Sequence, residues 1–470
     1  MFKFPLNRLA FILSLGLVLP FLIMKGMFMD GLMYAAVSKN LALGIGEFWQ
    51  PFYGEDYFGL PGFYENPPLG IYNLALFFKL FGTAFWVERL FILVLYLLTM
   101  VGIWLNLKAV IGEAAKGVFW FCLLAWALIP TVFWSFRQNM MEIQMLPFLL
   151  FSNWVLIKTL KREIAFAQGI LFFSLLTVAA FLVKGVVGAF LIGAPFAYFI
   201  AVERNLRAIY FGMASLLLLL INGFVFYQNP EVKEFFYYYL EIRTANRINH
   251  VPIVGNRFWI IGEFLQQMII PLVLALIVYF SQRKVGSDFR TEKSKNWILF
   301  FILLGIGGSL PFMITKVQRP FYLMTSFPFY IIALSLFLEP KIRTISHRLS
   351  QNKPVLKALN VFSLVLGLLV ISLSLVNWGD YRRDEQLQKD LASLKIDLDQ
   401  TTKVYVSGAL KSHWSLKAYA VRNVDIDLLH VEGFDPEQSK YVISKENLTK
   451  EHGQFKEFKN YDSFTVYILE

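Results

Sequence analysis

The chain has a single cysteine, Cys122. No disulfide framework can form, and a thiol inside an apolar run reads as a buried packing residue. Charge is also scarce. Asp, Glu, Lys and Arg make up 16% of 470 residues, against 57% hydrophobic residues and a mean hydropathy of +0.55. A soluble domain must keep a charged, polar surface, so this balance points to a polytopic membrane protein. Acidic residues are outnumbered by basic ones, 33 to 44, for a net charge of +11. In a soluble chain that excess would suggest nucleic acid. Here the basic residues fall largely in short loops between apolar runs, where they set topology, and no nucleic-acid partner is expected. No small-residue cleavage site follows the first apolar segment, so that segment reads as a retained span. Neither a phosphate-cradling P-loop nor a dinucleotide-type glycine fingerprint is visible, and no internal repeat is evident.

What is abundant is long apolar sequence. Runs of the roughly 20 residues needed to cross a bilayer occur near 6–24, 86–107, 116–134, 141–157, 165–182, 186–201, 206–227, 258–281, 296–314, 320–339 and 356–378. The expectation is a mainly α, polytopic fold of about 11 spans. The run at 67–82 is shorter and carries Lys79, which suits either a span or an interfacial helix. The segments 158–162, 203–207, 282–295 and 340–354 are basic and should share the cytoplasmic side with the N-terminus. Residues 25–85, 135–140, 183–185, 228–257 and 315–319 then lie outside, provided that 67–82 does not cross.

After Trp378 the composition turns charged. YRRDEQLQKDLASLK and HWSLKAYAVRN read as helices, and KVYVSGA, KYVISK and SFTVYIL read as strands. Residues 1–378 are therefore expected to form a membrane domain, and 379–470 a small extracytoplasmic α/β domain. The outer loop 25–85 is crowded with aromatics, Pro and Gly, and is expected to lie flat at the interface with interfacial helices. Asp30 suits an N-cap, and Asp30, Tyr34 and Ser38 share one stripe of the helix behind it.

Ordered motifs then suggest a family. DGLMYAAVSKNLALG, YENPPLGIYNLALFFKLFG and VERLFILVLYLLTMVGIWLNLKAVIG resemble the polytopic GT-C glycosyltransferases, in particular the protein O-mannosyltransferase and lipid A aminoarabinose transferase (ArnT-like) group. That group shows an Asp-Glu-x-x-Tyr-like start, a His/Lys-Pro-Pro-Leu-like motif and an Arg-led span. Asp30 and Tyr34 match the first, with Gly31 where an acid is common. Glu65, Asn66, Pro67, Pro68 and Leu69 match the second, with Asn66 where His or Lys is usual. Glu88-Arg89 matches the third. Looser matches are FLVKGVVG at 181–188, FFYYYLEIRTANRINHVPI at 235–253, QRPFYLMTSFP at 318–328 and RQNMMEIQM at 137–145, where Glu142 stands in for an Asp.

The resemblance implies an inverting glycosyltransferase of the cell envelope. Its donor would be a polyprenyl-phosphate sugar, needing no nucleotide, and its acceptor a lipid (lipid A), a surface glycan or a protein. The site would lie at the outer face of the inner (plasma) membrane, with membrane lipids around it, the N-terminus cytoplasmic and the C-terminal domain periplasmic. Asp30 is the candidate general base. Tyr34, Glu65, Asn66, Arg89, Glu142, Lys184, Arg243, Arg247, His250, Arg319 and Tyr322 are candidate donor- or acceptor-binding residues, with Lys316 a further cation for a leaving phosphate. Arg89 has a second reading, in which it pairs with Glu88 or another carboxylate and only anchors its span. One outer histidine and scattered carboxylates do not support a metal site by spacing, no cofactor is called for, and a divalent metal stays an open alternative. The competing readings are a transporter or lipid-linked sugar flippase, which usually shows repeated halves, and a non-catalytic scaffold of the same fold.

Overall fold

A computed structural model describes residues 4–55, 60, 62–245, 252–282, 292–398, 401–451 and 454–469. The chain divides into two compact units, one of Met1–Ile23 with Leu90–Trp378 and one of Met24–Arg89 with Gly379–Glu470.

The first unit is helical. Its helices in chain order begin with α1 (Pro5–Leu22), and α2 (Met29–Ala42) and α3 (Leu69–Phe81) follow in the second unit. α4 (Phe85–Ile111) starts in the second unit and continues the first, followed by α5 (Ala115–Ala127), α6 (Pro130–Arg137), α7 (Met141–Leu160), α8 (Phe166–Lys184), α9 (Ala194–Ala201) and α10 (Leu206–Phe226). Helices Trp259–Ser281, Glu292–Ser309, Phe327–Phe337, Glu339–Gln351 and Lys353–Val376 complete it. Among the described residues, eight helical stretches are long and apolar enough to cross a membrane. Two of them, Phe85–Ala127 and Phe166–Ala201, run 43 and 36 residues, which is enough for two crossings each. Every expected span coincides with one of these stretches or with the shorter helix Phe327–Phe337. α3, at 13 residues, falls short of a crossing.

α7 lies at the centre of this unit: 78% of its apolar window is buried, against 17% for α10. Lipid tails are as apolar as leucine, so helices here are joined by close approach and polar contacts. Gly102 of α4 lets α7 come near, since a Cβ there would meet Leu150 at 2.7 Å. Asn106 donates to the Leu150 carbonyl at 2.8 Å and accepts from Asn153 at 2.7 Å. Ser152 and Thr177 bond α7 to α8 at 3.1 Å. Cys122 is buried, as its apolar neighbours imply.

The second unit contains a five-stranded sheet. Strands β1 (Lys403–Val406), β2 (Asp427–His430), β3 (Tyr441–Ser444), β4 (Phe455–Asn460) and β5 (Thr465–Leu469) take the order β2-β1-β3-β5-β4. β1 is parallel to β2 and β3, and β5 is antiparallel to β3 and β4. Tyr405, Leu429, Val442, Phe455 and Tyr467 form its core. Both expected helices are present, at Glu385–Asp397 and Trp414–Tyr419. The loop before α3 joins this unit through its backbone. The Glu55 N–H donates to Asp427 at 2.8 Å, and Gly54 approaches that carboxylate too closely for any side chain. Tyr53, Phe63 and Tyr64 are interior residues, at most 1% exposed.

Candidate active site

The candidate residues fall into two groups, one in each unit. In the second unit, α2 carries Asp30 and Tyr34. Asp30 is not the N-cap expected of it. Phe28 holds that position without a side-chain bond, and Asp30 lies half-buried in the first turn. A carboxylate there is favoured by the helix dipole. On α2, Tyr34 through Leu41 are all buried.

Tyr34 lies one turn beyond Asp30 and therefore on the same face. Its ring meets Phe63 edge-on with centroids 6.2 Å apart, and Ser38 donates to its carbonyl at 2.7 Å. The chain bends at Glu65 and Asn66, Pro68 N-caps α3 with helical backbone, and Asn66 is buried. Asn66 donates from Nδ2 to the Tyr34 hydroxyl at 3.2 Å. The first two motifs are thus brought together, with Glu65 half-buried beside them. Asn66 contributes a neutral donor where a cation is usual in the resembled group.

Arg89, in the first turn of α4, is 4% exposed and donates to the Gly26 carbonyl at 3.4 Å. The reading of a Glu88–Arg89 pair is corrected. Glu88 instead accepts from Arg422, at 2.8 Å from Nε and 2.5 Å from Nη2, with both residues buried. Lys39, at the end of α2, pairs with Asp425 at 2.7 Å and donates to the Arg422 carbonyl at 2.9 Å. Burial nevertheless holds its ammonium below the ordinary value of 10.5, because desolvation outweighs the neighbouring carboxylate. Sequence reasoning missed Lys39, Arg422 and Asp425. Only the charged run RNVD at 422–425 hinted at them.

In the first unit Glu142, in the first turn of α7, is fully buried and ion-paired with Lys184 at the end of α8. The Lys184 ammonium also lies over the rings of Phe321 and Tyr322, 5.6 and 5.3 Å from their centroids. Gly185 follows with φ +74°, and a Cβ there would strike the Tyr239 hydroxyl at 2.0 Å. The turn therefore requires glycine. Tyr322 stacks on Phe312 at 5.0 Å. Arg319 caps the turn Pro320–Thr325 and is exposed, as is Lys316. Arg243 belongs to the helical turn Tyr238–Ala245, but its side chain lies outside the described residues, as do Arg247 and His250 entirely. Among the described residues, no three of His, Cys, Asp and Glu come together to hold a metal ion.

Residues 65–226 match the family profile for dolichyl-phosphate-mannose-protein mannosyltransferase. No curated protein matches in a sequence search. Among solved structures, ArnT from Cupriavidus metallidurans bound to undecaprenyl phosphate superposes with a TM-score of 0.68 at 14% identity, covering 98% of this chain and 97% of that one. The apo state of the same protein gives 0.64 at 14% identity, with 97% and 95% covered. The chain therefore shares the ArnT-like GT-C fold that its motifs implied.

Proposed function

We propose that this protein is an inverting glycosyltransferase that moves a sugar from a polyprenyl-phosphate donor to a hydroxyl acceptor at the outer face of the membrane. The observation that carries the reading is the Asn66–Tyr34 contact at 3.2 Å, which joins the α2 and α3 motifs beside the turn bearing Asp30. Support for the donor class comes from the family match over 65–226 and from the relative that was solved with undecaprenyl phosphate. The acceptor oxygen attacks the anomeric carbon while its proton passes to the Asp30 carboxylate. The bond from that carbon to the phosphate oxygen breaks, and its electron pair leaves with the lipid phosphate. Attack opposite the leaving group inverts the anomeric centre. The departing phosphate requires fixed positive charge. Asn66 is read as a hydrogen-bond donor that orients Tyr34.

Transfer from a labelled polyprenyl-phosphate sugar into lipid, glycan and peptide acceptors, with purified protein in liposomes, tests the proposal. Asp30→Asn should lower turnover by about 10²- to 10⁴-fold, the usual worth of a positioned base. Undiminished transfer in both Asp30→Asn and Asp30→Ala would overturn the assignment. Reporter fusions at Arg348 and Lys411 should lie on opposite sides of the membrane, and the same side for both would refute the proposed topology.

A further inference from the structure

We propose that a cleft bordered by Lys25, Lys39, Glu88, Arg89, Tyr381 and Arg422 binds a phosphate-type oxyanion. The cleft has a volume of about 410 Å³ and lies wholly within the second unit. That is within the roughly 300–1,000 Å³ typical of ligand pockets. Asp30, Tyr34, Glu65 and Asn66 are not among its lining residues, whereas Arg89, a candidate donor- or acceptor-binding residue, is.

Four cations and two carboxylates line it. Lys39 is paired with Asp425 and Arg422 with Glu88. Two positive charges then remain, on Lys25 and Arg89. The Arg89 side chain is almost fully buried, and among the described residues its Nε finds no acceptor. Its bond to the Gly26 carbonyl is long at 3.4 Å. A buried guanidinium short of acceptors is costly, and an oxyanion supplies two in the fork geometry that arginine favours. The Lys25 ammonium sits over the rings of Tyr381 and Phe85, 4.9 and 5.7 Å from their centroids. Its backbone is held by bonds to Asp380 and Arg382 at 2.7 and 2.9 Å. Gly26 has φ +88°, and a Cβ there would meet the Arg383 carbonyl at 2.7 Å. The site is thus built by close backbone approach, and its two uncompensated charges match a phosphate dianion.

The oxyanion could be a soluble phosphate or the headgroup of a lipid, and the experiment separates them. Full-length protein in phosphatidylcholine nanodiscs is melted with about 10 mM inorganic phosphate, or with chloride at equal ionic strength, and again in discs doped with phosphatidic acid. Phosphate should raise the midpoint by at least ~2 °C over chloride if the ligand is soluble. Phosphatidic acid alone should do so if it is lipid-borne. Arg89→Gln and Lys25→Gln should each abolish the shift. Lys25→Gln decides alone if Arg89→Gln fails to fold. No shift with either ligand, or a full shift in the Lys25 variant, would overturn the proposal. Binding is read without turnover, so failure of the transfer reading leaves this result standing.

Discussion

Glu88→Gln tests the electrostatics of the second unit most directly. The substitution keeps the shape of the side chain and removes its charge, leaving Arg422 buried without its carboxylate. Both groups are at most 5% exposed, and both Arg422 bonds converge on one Glu88 oxygen. Breaking a buried pair on one side costs about 3–5 kcal/mol, because the remaining charge has lost the water it could have had. In a cooperative unit of roughly 160 residues, each kcal/mol moves the midpoint by roughly 2–4 °C, so the expected loss is roughly 6–20 °C. Lys403–Glu55, at 2.5 Å but substantially exposed, is the internal control. Glu55→Gln should cost no more than about 1 kcal/mol. The assay is thermal unfolding of detergent-purified protein, followed by tryptophan fluorescence and by proteolysis of the exposed chain. Replacing both residues by methionine should recover much of the loss, since a well-packed apolar pair avoids the desolvation altogether. If Glu88→Gln shifts the midpoint no more than Glu55→Gln, the two pairs are equivalent and the burial argument is refuted.

Other outcomes follow from single contacts. Gly185→Ala should destabilise by about 1–3 kcal/mol, combining a left-handed backbone with a clash against Tyr239. The same change at exposed Gly193, where a Cβ meets nothing within 4 Å, should be close to neutral in the same melt. Tyr34→Phe removes the acceptor for Asn66 and should cost about 1–3 kcal/mol. A double-mutant cycle with Asn66→Leu should show that the two losses are not additive. Lys39 has a folded-state pKa below its unfolded one, so the unfolded chain binds more protons between those values. Stability should therefore rise with pH from the lowered folded value up to about 10.5, and Lys39→Met should remove that contribution when midpoints are compared across alkaline buffers.

The membrane part was legible because a bilayer leaves little choice. With no water to satisfy the backbone, an apolar run of sufficient length must become a helix, and each of the eleven runs coincides with helical structure. In the C-terminal region, KVYVSGA, KYVISK and SFTVYIL showed apolar alternation and became β1, β3 and β5. These are the three inner strands of the sheet. The two strands that sequence reading missed, β2 and β4, are its edges. β4 reads FKEFKN and buries only its first residue, so it carries no apolar alternation to detect. The candidate site divides in the same way. Tyr34 and Asn66 are parts of local motifs, and Glu142 and Lys184 were each visible as charges beside apolar runs. Their mutual bonds were not, because residue type does not specify which helix end meets which.

The sequence by itself determined the membrane class, the positions of the helices and the side chains available for chemistry, since these follow from local hydropathy and residue type. Only the tertiary structure joined residues 24–89 to 379–470 in one unit. That arrangement brought Glu88 to Arg422, 334 residues away, and Lys39 to Asp425. The availability of a charge depends on burial and on its partner, and both come from long-range packing. By neutralising two of four cations and leaving Lys25 and Arg89 without carboxylates among the described residues, the fold turned a list of basic residues into a candidate binding cleft.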